Sequence, residues 1–166
     1  MPVDNIVYRS FIKNYDKLKK VLIMPIDIIP ISSSNEVISK MTVRLKALWD
    51  SGATLTAIKP ELRDKLELCM VRAGSSAKIA GLGGFFDANY TVLSLRLWEN
   101  FEINWCPVYV LDYSVDVDII IGMDIIGMGD FVVCNTTNKT SFSFVIPPLP
   151  DKTDFTEKAR HLNKRY

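Results

Sequence analysis

The residues with the clearest chemical potential form one short stretch. An apolar run, Ala47-Leu48-Trp49, passes directly into Asp50-Ser51-Gly52-Ala53-Thr54. A carboxylate at the end of a buried strand is costly unless it is paired or takes part in chemistry. Gly52 permits a tight turn that aims the carboxylate outward, and Ser51 can hydrogen-bond within the loop and hold its shape. Alone, Asp-Ser-Gly is a common turn tripeptide. Two further stretches change its weight. In Ile119-Ile120-Ile121-Gly122-Met123-Asp124-Ile125-Ile126 an aliphatic run meets a glycine before a short apolar segment. In Ala80-Gly81-Leu82-Gly83-Gly84-Phe85 a glycine-rich tip with one aliphatic residue at its centre lies between apolar strands. Glycine lets such a tip bend and lets its backbone approach a ligand. No Lys follows at the spacing of a phosphate loop, and G-x-G-G is not the dinucleotide fingerprint.

Other chemistries find few ligands. There is one histidine, His161, and Cys69, Cys106 and Cys134 lack metal-ligand spacing, so no metal and no cofactor are expected. The three cysteines read as buried thiols of a reducing compartment. Asp112, Asp116 and Asp118 do not have the spacing of an EF-hand loop and read as solvated loop acids. Trp49, Trp98 and Trp105 read as core or groove aromatics. A net charge of +1 argues against a general nucleic-acid binder.

The elements that must position these residues are mostly short strands. With 166 residues, 48% of them hydrophobic, the chain can bury a core without disulfides or metals. Strands are predicted over 21–31, 37–49, 101–111 and 117–121, and near 76–80 and 88–97. A closing hairpin is predicted from 131–134 and 141–146, turned at Asn135–Thr140. Ser32–Asn35 reads as a turn, Pro60–Leu68 as a short helix and Asp124–Gly129 as one helical turn. This pattern argues for an all-β barrel or sandwich. Val7, Phe11, Tyr15 and Leu18 have helical spacing, so residues 1–20 read as an amphipathic helical extension, with the domain proper over 21–149. The polar tail, 150–166, is open to either a short helix or disorder. The longest apolar stretch, Val21–Ile31, is interrupted by Pro25, Asp27 and Pro30, so no membrane association is expected. No apolar leader is read at the N-terminus, and a cytoplasmic protein is expected.

Taken in order, the Asp-Ser-Gly-Ala loop, the glycine-rich tip and the aliphatic-aliphatic-Gly stretch resemble the retropepsin family of aspartic peptidases. Ala-Leu-Trp-Asp-Ser-Gly-Ala-Thr and Ile-Gly-Met-Asp-Ile-Ile look most like bacterial retropepsin-like proteins, and the likeness covers roughly residues 21–146. The resemblance implies a single-lobe, closed acid-protease β barrel with short flanking helices. It implies a homodimer acting on a polypeptide substrate, with Asp50 of each protomer sharing one water. Ser51 would form a hydroxyl lock across the dimer axis, and Gly52 would lie against the substrate backbone. Ala53 would also bind substrate, under a flap made of Gly81, Leu82, Gly83 and Gly84. Gly122 would sit where a crossing strand packs under the catalytic loop.

Departures from the retroviral pattern accompany the likeness. Thr54 stands where those members commonly have Asp, and Met123 where they commonly have Arg, so the ion pair between those positions is replaced. Interface strands then come from Ser141–Ile146, the N-terminal strand, or both. A hydroxyl at position 53 could favour charged carboxylates in the dyad; Ala53 has none, so a mildly acidic optimum is expected. Two other uses of the same fold stay open: a catalytically silent dimerisation or peptide-binding module, and an enzyme that removes its own 1–20 or 147–166 segment.

Overall fold

The computed structural model describes residues 6–31, 42–72, 78–81, 84–87, 89–151 and 155–163. In chain order these form β1 (Arg9–Asn14), β2 (Leu22–Pro30), β3 (Val43–Trp49), β4 (Ala57–Ile58), α1 (Pro60–Lys65) and β5 (Val71–Arg72). Then follow β6 (Lys78–Gly81), β7 (Gly84–Asp87), β8 (Asn89–Trp98), β9 (Phe101–Val110), β10 (Ile119–Ile121) and α2 (Met123–Ile126). The chain ends with β11 (Asp130–Thr136), β12 (Lys139–Ile146) and α3 (Phe155–Asn163).

The main sheet runs β2-β3-β10-β4-β9-β8, and β8 pairs back onto β2. This closes a barrel of six strands, with β5 extending β8 at one side. Closure leaves the barrel strands no free edge. Period-two alternation fills the interior: Met24, Ile26 and Ile28 from β2, Leu45 and Ala47 from β3, and Leu93, Leu95 and Leu97 from β8 are buried. Ile58, Val108, Ile119 and Ile121 complete the core from the other strands.

A second sheet, β1-β12-β11, packs an aromatic face against the barrel. Phe11, Phe144 and Phe131 lie across from one another in register, and Phe142 follows on β12. All four rings surround Trp49, with centroids 5.2 Å (Phe144), 5.4 Å (Phe142) and 5.6 Å (Phe11 and Phe131) away. Such offset and edge contacts add specific geometry to a large apolar burial. Trp49 is the last residue of β3, so this cluster anchors the strand end that carries Asp50.

Several expectations need correction. Residues 9–14 form strand β1, not part of a helical extension over 1–20, and they pair with Ser141–Ile146 of β12. The spacing of Val7, Phe11, Tyr15 and Leu18 suggested a helix, but Phe11 alone of these is buried, on the inward parity of the strand. Pairing along β12 outweighs the local period. The closing hairpin turns at Thr137–Asn138, both left-handed with φ of 50° and 63°, so its strands run further than expected. Cys69 and Cys134 are exposed; Cys106 alone is buried. Asp112, Asp116 and Asp118 are exposed, as expected of solvated loop acids; Asp116 also pairs with the Lys46 ammonium at 2.8 Å, and Asp118 accepts from the Lys46 backbone N–H at 2.7 Å. The turn at Ser32–Asn35 and the first part of the strand read over 37–49 lie outside the described residues. Among the described residues, no helix is long and apolar enough to cross a membrane.

Candidate active site

Strands β3 and β10 run parallel, with Ala47 opposite Ile119, Leu48 opposite Ile120 and Trp49 opposite Ile121. Both therefore leave the barrel at the same end, which places Asp50 beside Gly122. The Asp50 N–H donates to Ile121 O at 3.0 Å. The loop then turns tightly: Ala53 N–H donates to Asp50 O at 3.1 Å, and Gly52 N–H to Asp50 Oδ1 at 2.9 Å. Asp50 is half-buried, while Ser51 and Gly52 are exposed. One carboxylate oxygen is thus fixed by the loop's own backbone. Oδ2 accepts no hydrogen bond among the described residues. Ser51 makes none there either, so its hydroxyl does not hold the loop's shape as expected.

That work falls to Thr56 and Asp124, which the sequence reading missed as a pair. Asp124 lies in the first turn of α2 and turns its carboxylate back toward the Asp50 loop. Its Oδ2 accepts the Thr56 N–H at 2.8 Å, and Oδ1 accepts the Thr56 hydroxyl at 2.7 Å and the Ile125 N–H at 2.9 Å. The Thr56 oxygen in turn accepts the Gly122 N–H at 3.1 Å. Thr56 is 0% exposed, so each of these bonds replaces a lost contact with water. A signal was present in the sequence. Asp124 stands inside an otherwise apolar run, where an acid requires donors. Main-chain bonds complete the clasp, from Met123 N–H to Ala53 O at 2.8 Å and Asp124 N–H to Thr54 O at 3.2 Å. The backbone thus ties the two segments at Thr54 and Met123, the positions where the retroviral ion pair is absent.

Gly122 is required at this crossing. A Cβ there would stand 2.5 Å from Leu55 C and 2.6 Å from Leu55 O, backbone atoms that cannot move aside cheaply. Beneath the clasp, Cys106 is buried. Burial first, and then the charge of Asp124, push its thiol up to about 12, so it stays protonated and unreactive near neutral pH.

The structure brings Asp50, Ser51, Gly52 and Ala53 together in one loop. Gly81 and Gly84 face each other at the end of the β6–β7 hairpin, a separate two-stranded sheet. Leu82 and Gly83 lie outside the described residues. Among the described residues no group of His, Cys, Asp and Glu is assembled to hold a metal ion.

Comparison with known proteins follows the same line. The family model described as aspartyl protease matches residues 37–125, which include the Asp50 loop, Thr56, Gly122 and Asp124. A solved structure, a retropepsin-like aspartic protease from Rickettsia conorii, is similar over 77% of this chain and 98% of its own length, at 17% identity and a TM-score of 0.39. No curated protein matches the chain. Since the family match spans more than half of its residues, the chain belongs to the aspartyl protease family.

Proposed function

We propose that this chain is an aspartic endopeptidase of the retropepsin type, active as a homodimer. The observation that carries the reading is the Asp50 loop. It presents a single carboxylate at the open end of a rigid barrel, fixed through one oxygen by Gly52 N–H. The chain contains one Asp-Ser-Gly loop. Peptide hydrolysis through two carboxylates needs one as base and one as acid, so the second comes from a second copy. In the dimer the two Asp50 side chains share a water and a proton, because two carboxylates at that range do not both ionise easily. The ionised member takes a proton from the water as it attacks the scissile carbonyl. The protonated member donates to the carbonyl oxygen, and no covalent intermediate forms. Ser51, exposed beside Asp50, is positioned to reach its symmetry mate. Gly52 and Ala53 line the floor under an extended peptide, and the Gly81–Gly84 hairpin covers it.

Subunit mixing tests the shared site. Wild type is mixed with an equal amount of Asp50→Asn under conditions of exchange, and cleavage of a diverse peptide mixture is followed by mass spectrometry. With random pairing and an inactive mixed dimer, activity falls to about a quarter of that of the same total amount of wild type. A fall to only about half would mean that each chain works alone and would refute the shared dyad. No cleavage by wild type at any pH from about 4 to 7, a range set by carboxylate chemistry, would favour the silent module.

A further inference from the structure

The segment between β1 and β2, residues 15–21, carries lysines at the catalytic end of the barrel. Lys17, Lys19 and Lys20 are exposed, Lys13 precedes them on β1, and the acid among them is Asp16. The ion pairs among the described residues use Arg44, Lys46, Arg63 and Arg96, so none of these four lysines is neutralised by a carboxylate there. Two of them are held at one ring. The Lys13 and Lys19 ammonium groups sit 5.7 Å and 5.6 Å from the centre of the same Tyr15 ring. Like charges held around one ring repel each other, and an incoming anion relieves that repulsion.

The segment is built rather than loose. Tyr15 N–H donates to Thr140 O at 2.9 Å, Thr140 N–H to Lys17 O at 3.3 Å, and Lys19 N–H to Thr140 Oγ1 at 2.9 Å. The Tyr15 hydroxyl donates to Ile23 O at 2.9 Å, and Ile23 pairs with Leu48. Its position relative to the site follows from register. Leu22 lies opposite Trp49, one residue before Asp50. With about 5 Å between paired Cα atoms and about 3.8 Å between consecutive ones, the Lys20 Cα lies no more than about 17 Å from that of Asp50. An extended peptide advances about 3.3 Å per residue, so this bound on Lys20 corresponds to no more than about five residues from the cleaved bond.

We propose that residues 15–21 form an electrostatic subsite that selects acidic polypeptide substrates, with Lys17, Lys19 and Lys20 meeting Asp or Glu side chains a few residues from the scissile bond. The proposal rests on the peptidase reading above and names its substrate class. Leu18 and Val21, 54% and 55% exposed, give the same subsite apolar contacts beside the charge.

The test uses paired peptides that contain one cut site and differ only by Glu against Gln about four residues away, the reach set by strand geometry. For wild type at low ionic strength, kcat/KM for the Glu peptide should exceed that for the Gln peptide by about five- to tenfold, the difference lying in KM. It should collapse in about 0.5 M salt. Combined Lys17→Gln, Lys19→Gln and Lys20→Gln should bring the ratio near one, and Lys20→Glu should push it below the wild-type value. Equal kcat/KM on the two peptides, or a ratio that the substitutions leave in place, would overturn the proposal while the peptidase reading stands. An equal loss on both peptides, together with wild-type binding to anionic vesicles, would assign the segment to a lipid surface instead. If wild type cuts neither peptide, the peptidase reading fails. Fluorescence anisotropy with Asp50→Asn then decides the subsite: binding the Glu peptide no tighter than the Gln peptide overturns it.

Discussion

Replacing Asp50 by Asn should lower peptide cleavage by at least about a thousandfold, because in the proposed dimer the substitution removes both carboxylates, the acid and the base. Asn is nearly isosteric with Asp, and its carbonyl oxygen still accepts the Gly52 N–H that Oδ1 accepts now. Asp50 makes no ion pair among the described residues, so the fold does not depend on its charge. Thermal stability should therefore stay within about 1 kcal/mol of wild type, the scale of a near-isosteric replacement that keeps its hydrogen bond. Digests of a peptide mixture read by mass spectrometry, with melting curves of the same preparations, check both halves of the expectation. Full cleavage by a well-folded Asp50→Asn protein would place the chemistry elsewhere.

The second large effect belongs to Asp124→Ala. The substitution removes the acceptor of three hydrogen bonds at once, from Thr56 N–H, the Thr56 hydroxyl and Ile125 N–H. Thr56 is wholly buried, so water cannot take over its two donors without opening the structure. Leaving such groups unpaired costs about 1–3 kcal/mol each, which predicts a loss of about 2–5 kcal/mol. In a domain of this size that lowers Tm by roughly 10 °C. Under the proposed function, activity should fall further than stability accounts for, because Thr56 also holds Gly122 beside the Asp50 loop. Asp124→Asn is the sharper control. It keeps one acceptor but turns an amide N–H toward a donor of Thr56, so it should recover only part of the loss. A Tm for Asp124→Ala within about 1 °C of wild type would show that the clasp is not needed.

The contrast between these two residues shows what the sequence made legible. Asp50 could be read because its whole context is local: an apolar strand, an acid, a hydroxyl and a glycine in a row. The short strands could be read for the same reason, since inward residues such as Met24, Ile26 and Ile28 alternate along the chain. Asp124 and Thr56 could not be read as a pair, because they lie far apart in the chain and meet only through the parallel register of β3 and β10. Closure of the barrel by β2 against β8 is likewise a long-range fact that no local period encodes. The segment around Phe11 failed in the opposite sense. Its local spacing was helical, and only the partner strand β12 decides that it is extended. Trp49 looked like an ordinary aromatic, yet four phenylalanines brought from both ends of the chain close around it.

The parallel pairing of β3 with β10 also governs when the Asp50 loop of a newly made chain is braced. Asp50 leaves the ribosome early, but the carbonyl that receives its N–H belongs to Ile121, and the residue that braces its loop is Asp124. Contacts between such distant segments form late, because the intervening chain must be ordered before they can close. A nascent or truncated chain ending before β10 carries the carboxylate on an unbraced loop. Under the proposed peptidase activity, hydrolytic capacity would arise only once folding of the barrel is nearly complete, which would protect the emerging polypeptide, and its neighbours, from premature cutting.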